Sequence, residues 1–275
     1  MSDDLSGATL AAVTAIVDRA LDEDAPWGDA TSEAAIPASA TAIARIVSRV
    51  HGVLAGGLAL QLAFTRVDPT LVVERSLADG DPIAPGVVVA TITGSARSIL
   101  RGERVALNLA QRLSGVATLT RRYVDAVAGA VSASGAPVRL VDTRKTTPGL
   151  RVLEKAAVRL TGAIRAVRAR IPHTMHLEVE VDRLDQLEAV IAAEPDTIML
   201  DNFGLDDLRA GVALIAGRAT VEASGGVTLD TVRAIAETGV DVISVGALTH
   251  SAPALDLGLD IAITPGSGGA AGGAR

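Results

Sequence analysis

The sequence contains no cysteine, almost no aromatic residues and only two lysines among its 25 basic residues. The absence of cysteine excludes disulfide bonds, thiolate metal sites and cysteine nucleophiles. With 1% aromatics, the core must be aliphatic, and stacking on nucleic-acid bases is disfavoured. No apolar run reaches the roughly 18 residues that span a bilayer, and the acidic start argues against a signal peptide. We therefore expect a cytoplasmic protein with no membrane partner.

Both lysines, Lys145 and Lys155, lie in one short segment of the chain. A compact ammonium group on a flexible stem has a different chemistry from a planar guanidinium group. We therefore expect this segment to carry chemistry. The alternative is that the arginine bias is genomic and that the two lysines remain by chance.

Positive charge is concentrated in residues 139–170, although the whole chain has a net charge of −7. This segment has nine basic residues and two acidic ones, Asp142 and Glu154. A local positive field in an acidic protein suits a small anion better than a nucleic acid, which requires a wider basic face. We interpret Arg165, Arg168 and Arg170 as a solvated helix face.

The first part of the chain, residues 1–115, is predicted to be a small antiparallel β module with flanking helices. Apolar spacing predicts a helix over 8–24, and a second long helix or helix pair over 96–129. Short Val- and Ile-rich runs separated by turn signals predict strands at 42–50, 71–76 and 87–92.

The second part, residues 116–265, shows a regular alternation of strands and helices. Apolar strands are predicted at 138–141, 177–181, 197–200, 220–223 and 242–245. Such alternation indicates a parallel sheet with helices outside, so the fold class is α/β with a barrel-like domain. Ligands of these folds bind at the carboxyl ends of the strands, where each run here ends in a polar or glycine cluster. Residues 266–275 are rich in Gly and Ala and are predicted to be disordered.

The first cluster consists of Thr143, Arg144 and Lys145, followed by Thr-Thr-Pro-Gly. Pro148 suits the first position of a helix, so the two cations would stand beside a helix N-terminus and bind an anion. Arginine can hold a carboxylate or phosphate by two parallel hydrogen bonds. The alternative is an ion pair with Asp142 or Glu180.

The last two clusters have the small residues of a phosphate site. They are Ser224, Gly225 and Gly226 after the fourth strand and Gly246 after the fifth. Barrels often bind phosphate in their final two loops, where glycine lets backbone N–H groups approach the ligand. For the nearby His250, helix capping and catalysis stay open.

Two carboxylates, Glu180 and Asp201, are predicted to project from adjacent strand ends. They could bind ribose hydroxyls, ligate Mg²⁺ or stabilise a developing positive charge, or they could balance Arg144 and Lys145. Glu178 lies on the same side of its strand as Glu180, so one of the two could be structural. Arg104, on the long helix, is by default a solvated residue.

Taken together, these segments resemble the quinolinate phosphoribosyltransferase family over about residues 8–262. The most specific run is residues 142–151, Asp-Thr-Arg-Lys-Thr-Thr-Pro-Gly-Leu-Arg. The other matching runs follow in the order of the family: 21–24 with 28–31, 52–56, 103–109, 113–118, 178–181, 200–203, 224–226 and 245–250.

The resemblance implies a reaction and a set of roles. Quinolinate and phosphoribosyl pyrophosphate would give nicotinate mononucleotide, pyrophosphate and CO₂, a step of NAD biosynthesis, with Mg²⁺ as cofactor. Lys145, Glu180 and Asp201 would be catalytic, and the two carboxylates would hold ribose and Mg²⁺. Arg104 would reach the site of a neighbouring subunit in a homodimer or higher homo-oligomer. The full substrate-binding set would be Arg104, Thr143, Arg144, Lys145, Glu180, Asp201, Ser224, Gly225, Gly226 and Gly246.

The sequence departs from the family after Arg159. The family continues into a glycine-rich Asn-His-Arg loop and a strand ending in Lys-Asp-Asn-His, and neither motif is present here. Apolar spacing instead predicts one continuous helix over 149–170 and a barrel that is open or one strand short. Three hypotheses follow: an enzyme impaired by the deletion, a relative with another phosphoribosyl acceptor, and an inactive homologue that acts as a binding protein.

Overall fold

The computed structural model describes residues 7–160 and 176–265, which fall into two compact units. Within these residues, unit 1 comprises 7–117 with 253–265, and unit 2 comprises 118–160 with 176–252. This division differs from the predicted boundaries of 1–115 and 116–265 at the C-terminal end. The reason is strand pairing, because the last strand of the described residues joins the sheet of the N-terminal unit.

Unit 1 contains an antiparallel sheet, in agreement with the predicted β module. Its strands are β1 (Thr41–Ser48), β2 (Gly52–Val53), β3 (Val72–Arg75), β4 (Pro82–Ile83), β5 (Val88–Ser95) and β11 (Leu257–Thr264). Four of them form a sheet in the order β11-β1-β5-β3, and β2 pairs with β4. Alternate residues of β1 are buried, as expected of a strand with one face on the core.

The helices of unit 1 are α1 (Gly7–Asp24), α2 (Ala30–Ala35), α3 (Gly57–Val67) and the long α4 (Ala96–Ala126), within which the unit boundary falls. On α4, the Ser114 hydroxyl donates to the Ala55 carbonyl (3.2 Å) and accepts from the Ala55 N–H (3.1 Å). A Cβ on Gly115 would lie 1.9 Å from the Pro253 carbonyl oxygen. Ser114 and Gly115, from the run at 113–118, therefore pack within unit 1, and Ser114 binds the run at 52–56.

Unit 2 contains the five predicted parallel strands, which confirms the α/β class. They are β6 (Arg139–Val141), β7 (Glu178–Val181), β8 (Thr197–Asp201), β9 (Thr220–Ser224) and β10 (Val242–Ser244). The order in the sheet is β6-β10-β9-β8-β7, and every pairing is parallel. The helices are α5 (Arg151–Leu160), α6 (Leu187–Ala192), α7 (Leu205–Ile215), α8 (Val232–Ala236) and α9 (Ala247–His250).

The two faces of this sheet differ in polarity. One face carries Leu140, Ile243 and Leu200, which are buried. The other, which we call the polar face, carries Glu180, Asp201, Glu222, Ser224 and Ser244. Polar side chains on an otherwise buried parallel sheet indicate a site rather than a core.

The outer strands of the described sheet are β6 and β7. Within residues 7–160 and 176–265, each of them pairs with one neighbouring strand only, and they do not pair with each other. The predicted helix over 149–170 begins at Arg151 and is described as far as Leu160. The rest of that prediction, and the predicted disorder of 266–275, lie outside the described residues. In the part of the chain that the structure covers, no helix is long and apolar enough to span a membrane.

Candidate active site

The five clusters predicted to carry the site follow the carboxyl ends of β6 to β10. Because all five strands are parallel, these ends lie at one edge of the sheet. Across this edge, Asp201 is in register with Ser224. On the other side, a Cβ on Gly246 would lie 3.7 Å from Thr143 Oγ1. The predicted residues of unit 2 are therefore neighbours along one edge.

The loop after β6, residues 142–147, is held by its main chain. Thr249 Oγ1 donates to the Lys145 carbonyl oxygen (3.0 Å), and the Lys145 N–H donates to Thr143 Oγ1 (3.1 Å). Arg151 Nη2 donates to the Arg144 carbonyl oxygen (3.2 Å). We call this segment the cationic loop, and its backbone is fixed from α5 and α9.

The side chains of Arg144 and Lys145 are exposed, and they have no hydrogen-bond or ion-pair partner among the described residues. The alternative of an ion pair with Asp142 is not the arrangement found. Asp142 instead binds Lys155, with 2.8 Å between Oδ1 and Nζ. The two cations of the loop are therefore available to an anion.

The prediction that Pro148 begins the helix is wrong. Pro148 and Gly149 are the central residues of a turn in which the Leu150 N–H donates to the Thr147 carbonyl oxygen (3.0 Å). Gly149 has a φ of +82°, which fits the third position of a type II turn with proline before it. α5 begins only at Arg151, so the sequence signal at Pro148 was a turn signal.

The turn after β9 packs against the end of β8. A Cβ on Gly225 would lie 2.1 Å from Asn202 Oδ1, and Gly225 has a φ of +87°. The neighbouring Gly226 has a φ of +60° with no heavy atom within 4 Å of a Cβ. Glycine is therefore required at 225 by space and backbone conformation. At 226, open space leaves room for a ligand to approach the main chain.

His250 lies beside Gly246 in the turn after β10. A Cβ on Gly246 would be 3.0 Å from His250 Nε2, while His250 Nδ1 is 2.6 Å from Ser251 Oγ. The imidazole is thus oriented by a hydroxyl on one side and faces the glycine on the other. His250 therefore lies at the carboxyl end of β10, beside the turn that carries Gly246.

Glu180 and Asp201 share the polar face on adjacent strands. Glu180 is in register with Met199, two residues before Asp201 on β8. Asp201 Oδ2 accepts from Asn202 Nδ2 (2.7 Å). Glu180 is exposed and Asp201 is half-buried, so solvent or a ligand can reach the Glu180 carboxylate.

Sequence reasoning missed Glu222, a half-buried carboxyl group on the polar face of β9. The Ser244 hydroxyl on β10 donates to its Oε1. Burial raises the pKa of Glu222 above its usual value, the Ser244 hydrogen bond lowers it, and the Glu178 carboxylate raises it. The signal that could have found it was its spacing, two residues before Ser224 on the same strand face.

Arg104 lies on α4 in unit 1, and its side chain is 77% exposed. Its closest acidic partner is Asp24, with 3.8 Å between Nη1 and Oδ1. Arg104 also borders a cavity of about 340 Å³ that is lined by Asp29, Glu103 and their neighbours. Burial raises the pKa of Glu103, and the Arg104 charge lowers it. Within unit 1, the described ion pair of the Arg104 guanidinium is therefore long and exposed to solvent.

Within the described residues, no group of three or more His, Asp or Glu side chains is arranged to hold a metal ion. The candidate Mg²⁺ ligands Glu180 and Asp201 are two carboxylates on adjacent strands. Such a set matches the way Mg²⁺ is usually bound, by one or two carboxylates together with substrate phosphates and water.

Comparison with family models decides what this chain is related to. The model described as quinolinate phosphoribosyl transferase, N-terminal domain, matches residues 29–114. The model of the C-terminal domain matches residues 116–164 and 160–260. The chain belongs to the quinolinate phosphoribosyl transferase family.

Curated relatives and solved structures agree with this family. The nicotinate-nucleotide pyrophosphorylase [carboxylating] of Mycobacterium leprae is 39% identical over 277 residues, covering 88% of this chain and 95% of that protein. A probable enzyme of the same name from Synechocystis is 40% identical, covering 79% of this chain and 82% of that protein. The crystal structure of NadC from Streptococcus pyogenes has a TM-score of 0.82 at 34% identity, with 96% of this chain and 99% of that chain covered.

The match to the quinolinate phosphoribosyl transferase C-terminal model has two parts, which overlap at residues 160–164. The alignment with the M. leprae relative runs over 277 residues but covers 88% of this 275-residue chain. That alignment therefore contains positions for which this chain has no residue.

Proposed function

We propose that this chain is a carboxylating nicotinate-nucleotide pyrophosphorylase. The ring nitrogen of quinolinate attacks the anomeric carbon of phosphoribosyl pyrophosphate, and the bond from that carbon to pyrophosphate breaks. The carboxyl group next to the ring nitrogen then leaves as CO₂, and a proton takes its place. The product is nicotinate mononucleotide.

One observation carries this proposal beyond family membership. At one end, the edge of the sheet in unit 2 has two cations, Arg144 and Lys145, with no partner among the described residues. At the other end are the two carboxylates Glu180 and Asp201, and the glycine turns lie between. The substrates have matching chemistry: a dicarboxylate and a pyrophosphate need cations, a ribose needs hydrogen-bond acceptors, and a 5′-phosphate needs backbone N–H groups. Because these groups follow one another along the same edge, they support the binding of both substrates side by side in one site.

Arg144 and Lys145 are proposed to bind the anionic groups of the substrates, and Thr143 lies between them and Gly246. Because the main chain of the cationic loop is already fixed, binding of the anion has to order only the two side chains. Ser224, Gly225, Gly226 and Gly246 are proposed to bind the 5′-phosphate. The open space at Gly226 supports a close approach to the backbone.

Glu180 and Asp201 are proposed to bind the ribose hydroxyls and to stabilise the positive charge that develops on the sugar ring. The same two carboxylates would hold Mg²⁺, whose hard oxygen preference they fit. When bound, the ion would neutralise charge on the pyrophosphate group.

Arg104 is proposed to complete the site of a second copy of the chain in a homodimer. Its side chain is mostly exposed, and its contact with Asp24 is long at 3.8 Å, which leaves the guanidinium free to bind another partner. Exposed ion pairs of this kind contribute little to stability, so the residue can exchange partners at small cost.

We further propose that activity is impaired because the segment between the helix α5 and the strand β7 is shortened. The break in the C-terminal family match at residues 160–164 supports this. The resemblance implies that the family's His, Arg and Lys from that segment have no counterpart in this sequence. At about 1.5–3 kcal/mol for each lost charged contact, their absence would lower affinity or rate by several orders of magnitude.

The test is an assay of purified protein with quinolinate, phosphoribosyl pyrophosphate and Mg²⁺, in which nicotinate mononucleotide is quantified by mass spectrometry. We expect slow product formation that is abolished in Lys145→Met. A matched control is Arg209→Met, which removes an exposed ion pair with Asp206 in the same unit and should leave the rate unchanged. Binding of phosphoribosyl pyrophosphate without turnover of quinolinate would favour another acceptor, and no binding of either ligand would favour the inactive homologue.

A further inference from the structure

Both ends of the cationic loop are bound by two consecutive residues of α5. At the start of the loop, Lys155 Nζ donates to Asp142 Oδ1 at 2.8 Å. At its end, Thr147 Oγ1 donates to Glu154 Oε1 (2.6 Å), and the Thr147 N–H donates to Glu154 Oε2 (3.0 Å). Side chains from one turn of α5 therefore bind both ends of the loop that carries Arg144 and Lys145.

These contacts are partly buried, whereas the loop cations are exposed. The Asp142 side chain is 5% exposed, the Lys155 side chain is 31% exposed, and Glu154 is fully buried. Asp142 Oδ2 is buried and has no hydrogen-bond partner among the described residues. Loss of Lys155 would therefore leave a buried carboxylate without its counter-ion, and the loop start would have to move towards solvent.

We propose that Asp142 and Lys155 are positioning residues, which hold the cationic loop so that Arg144 and Lys145 face the anionic ligand. The ligand class, a pyrophosphate or carboxylate anion, rests on the proposed function. The two lysines of the chain then have separate roles. Lys155 is part of the support, and Lys145 contacts the ligand.

A lysine suits the supporting position for a geometric reason. The ammonium is a compact charge that can enter beside a carboxylate with little exposed surface, whereas a guanidinium is planar and larger. Lys155 is followed on α5 by two small residues, Ala156 and Ala157, and Ala157 is buried. An arginine at 155 is expected to keep the charge but fit less well.

Because the chain has only two lysines, their reactivity can be read separately. The experiment acetylates the folded full-length chain at increasing concentrations of inorganic pyrophosphate. Cleavage after arginine then gives residues 145–151 for Lys145 and 152–159 for Lys155, and mass spectrometry measures the acetylated fraction of each. The pyrophosphate concentration that protects half of Lys145 reports anion binding at the loop without any turnover.

We expect Lys145 to react readily and to be protected by pyrophosphate, and Lys155 to react slowly. In Asp142→Asn and in Lys155→Met, the half-protection concentration at Lys145 should rise about tenfold. The double variant should resemble the single ones because each breaks the same pair. Lys155→Arg should recover part of the affinity, and the control Arg209→Met should match the wild type.

The outcome separates this inference from the proposed function. Pyrophosphate protection that is weakened in the Asp142 and Lys155 variants supports the positioning role even when no nicotinate mononucleotide forms. Single variants that lower the thermal midpoint but keep the half-protection concentration within twofold would overturn it, since the pair would then only stabilise the fold. Absence of pyrophosphate protection in the wild type would overturn it as well.

Discussion

At the scale of single residues, Glu222 is a carboxyl group placed among other charges on the polar face. It accepts a hydrogen bond from Ser244 on the neighbouring strand, at the point where the backbone ladder between β9 and β10 ends. The bond therefore connects β9, which ends at Ser224, to β10, which is followed by Gly246. Its environment makes Glu222 a source of pH dependence.

The first prediction concerns stability as a function of pH. Since burial raises the pKa of Glu222 in the folded state, the folded chain retains its proton at a pH where the unfolded chain has lost it. This contribution to stability is present below the ordinary value of 4.5 and is lost as pH rises through the folded pKa. Urea denaturation of wild type and Glu222→Gln across this range should show a steeper decline for the wild type. Parallel curves would contradict the prediction.

At the scale of elements, the edge of the parallel sheet depends on how closely neighbouring turns pack. The turn after β9 lies directly on Asn202, whose own φ of +59° and N–H bond to the Ser224 carbonyl oxygen (2.8 Å) fix it in place. Two glycines in succession allow this packing, but for different reasons. At 225, a Cβ would clash with Asn202. At 226 there is open space, and only the positive φ favours glycine.

The second prediction compares alanine at these two positions. Gly226→Ala should cost about 1–2 kcal/mol of unfolding free energy, the price of a left-handed conformation for a residue with a Cβ. Gly225→Ala adds a clash with Asn202, including its backbone nitrogen at 2.9 Å, and should cost about 3 kcal/mol or more. Chemical denaturation measures both variants. Equal losses would mean that Asn202 can move aside without cost.

At the scale of the whole molecule, unit 1 is completed by β11, a strand that follows unit 2 in the sequence. β11 pairs with β1 from Thr41↔Thr264 to Ser48↔Leu257. The segment before β11 is also anchored to α4, because the Leu255 N–H donates to the Gln111 carbonyl oxygen (2.9 Å) and Gln111 Nε2 donates to the Leu257 carbonyl oxygen (2.8 Å). Unit 1 is therefore not contiguous in sequence.

The third prediction follows from this closure. A chain that ends at residue 252 loses β11 and leaves β1 as an open sheet edge, which favours aggregation. We expect its thermal midpoint to fall by more than about 10 °C, or the protein to be recovered only as aggregate. The control ends at residue 265, after β11, and should unfold like the full chain. Scanning calorimetry and size-exclusion chromatography compare the two.

The sequence by itself determined the type of each main element and the chemistry at the strand ends. Periodicity and turn residues are local, so the five parallel strands and the antiparallel module could be predicted from short windows of residues. The clusters Thr143-Arg144-Lys145 and Ser224-Gly225-Gly226 could be placed at one edge because parallel strands share their direction. The error at Pro148 came from the same source, since proline fits both a turn and a helix start.

Tertiary structure alone decided which of these residues meet. The pairing of Lys155 with Asp142, the closure of unit 1 by β11, and the environment of Glu222 all join residues far apart in sequence or on different elements. Such contacts depend on which edges and faces are brought together and on how deeply each group is buried, and no local pattern encodes either. The sequence therefore showed that its only two lysines lie in one segment. The fold showed that Lys155 binds Asp142 at the start of the loop on which Lys145 is exposed.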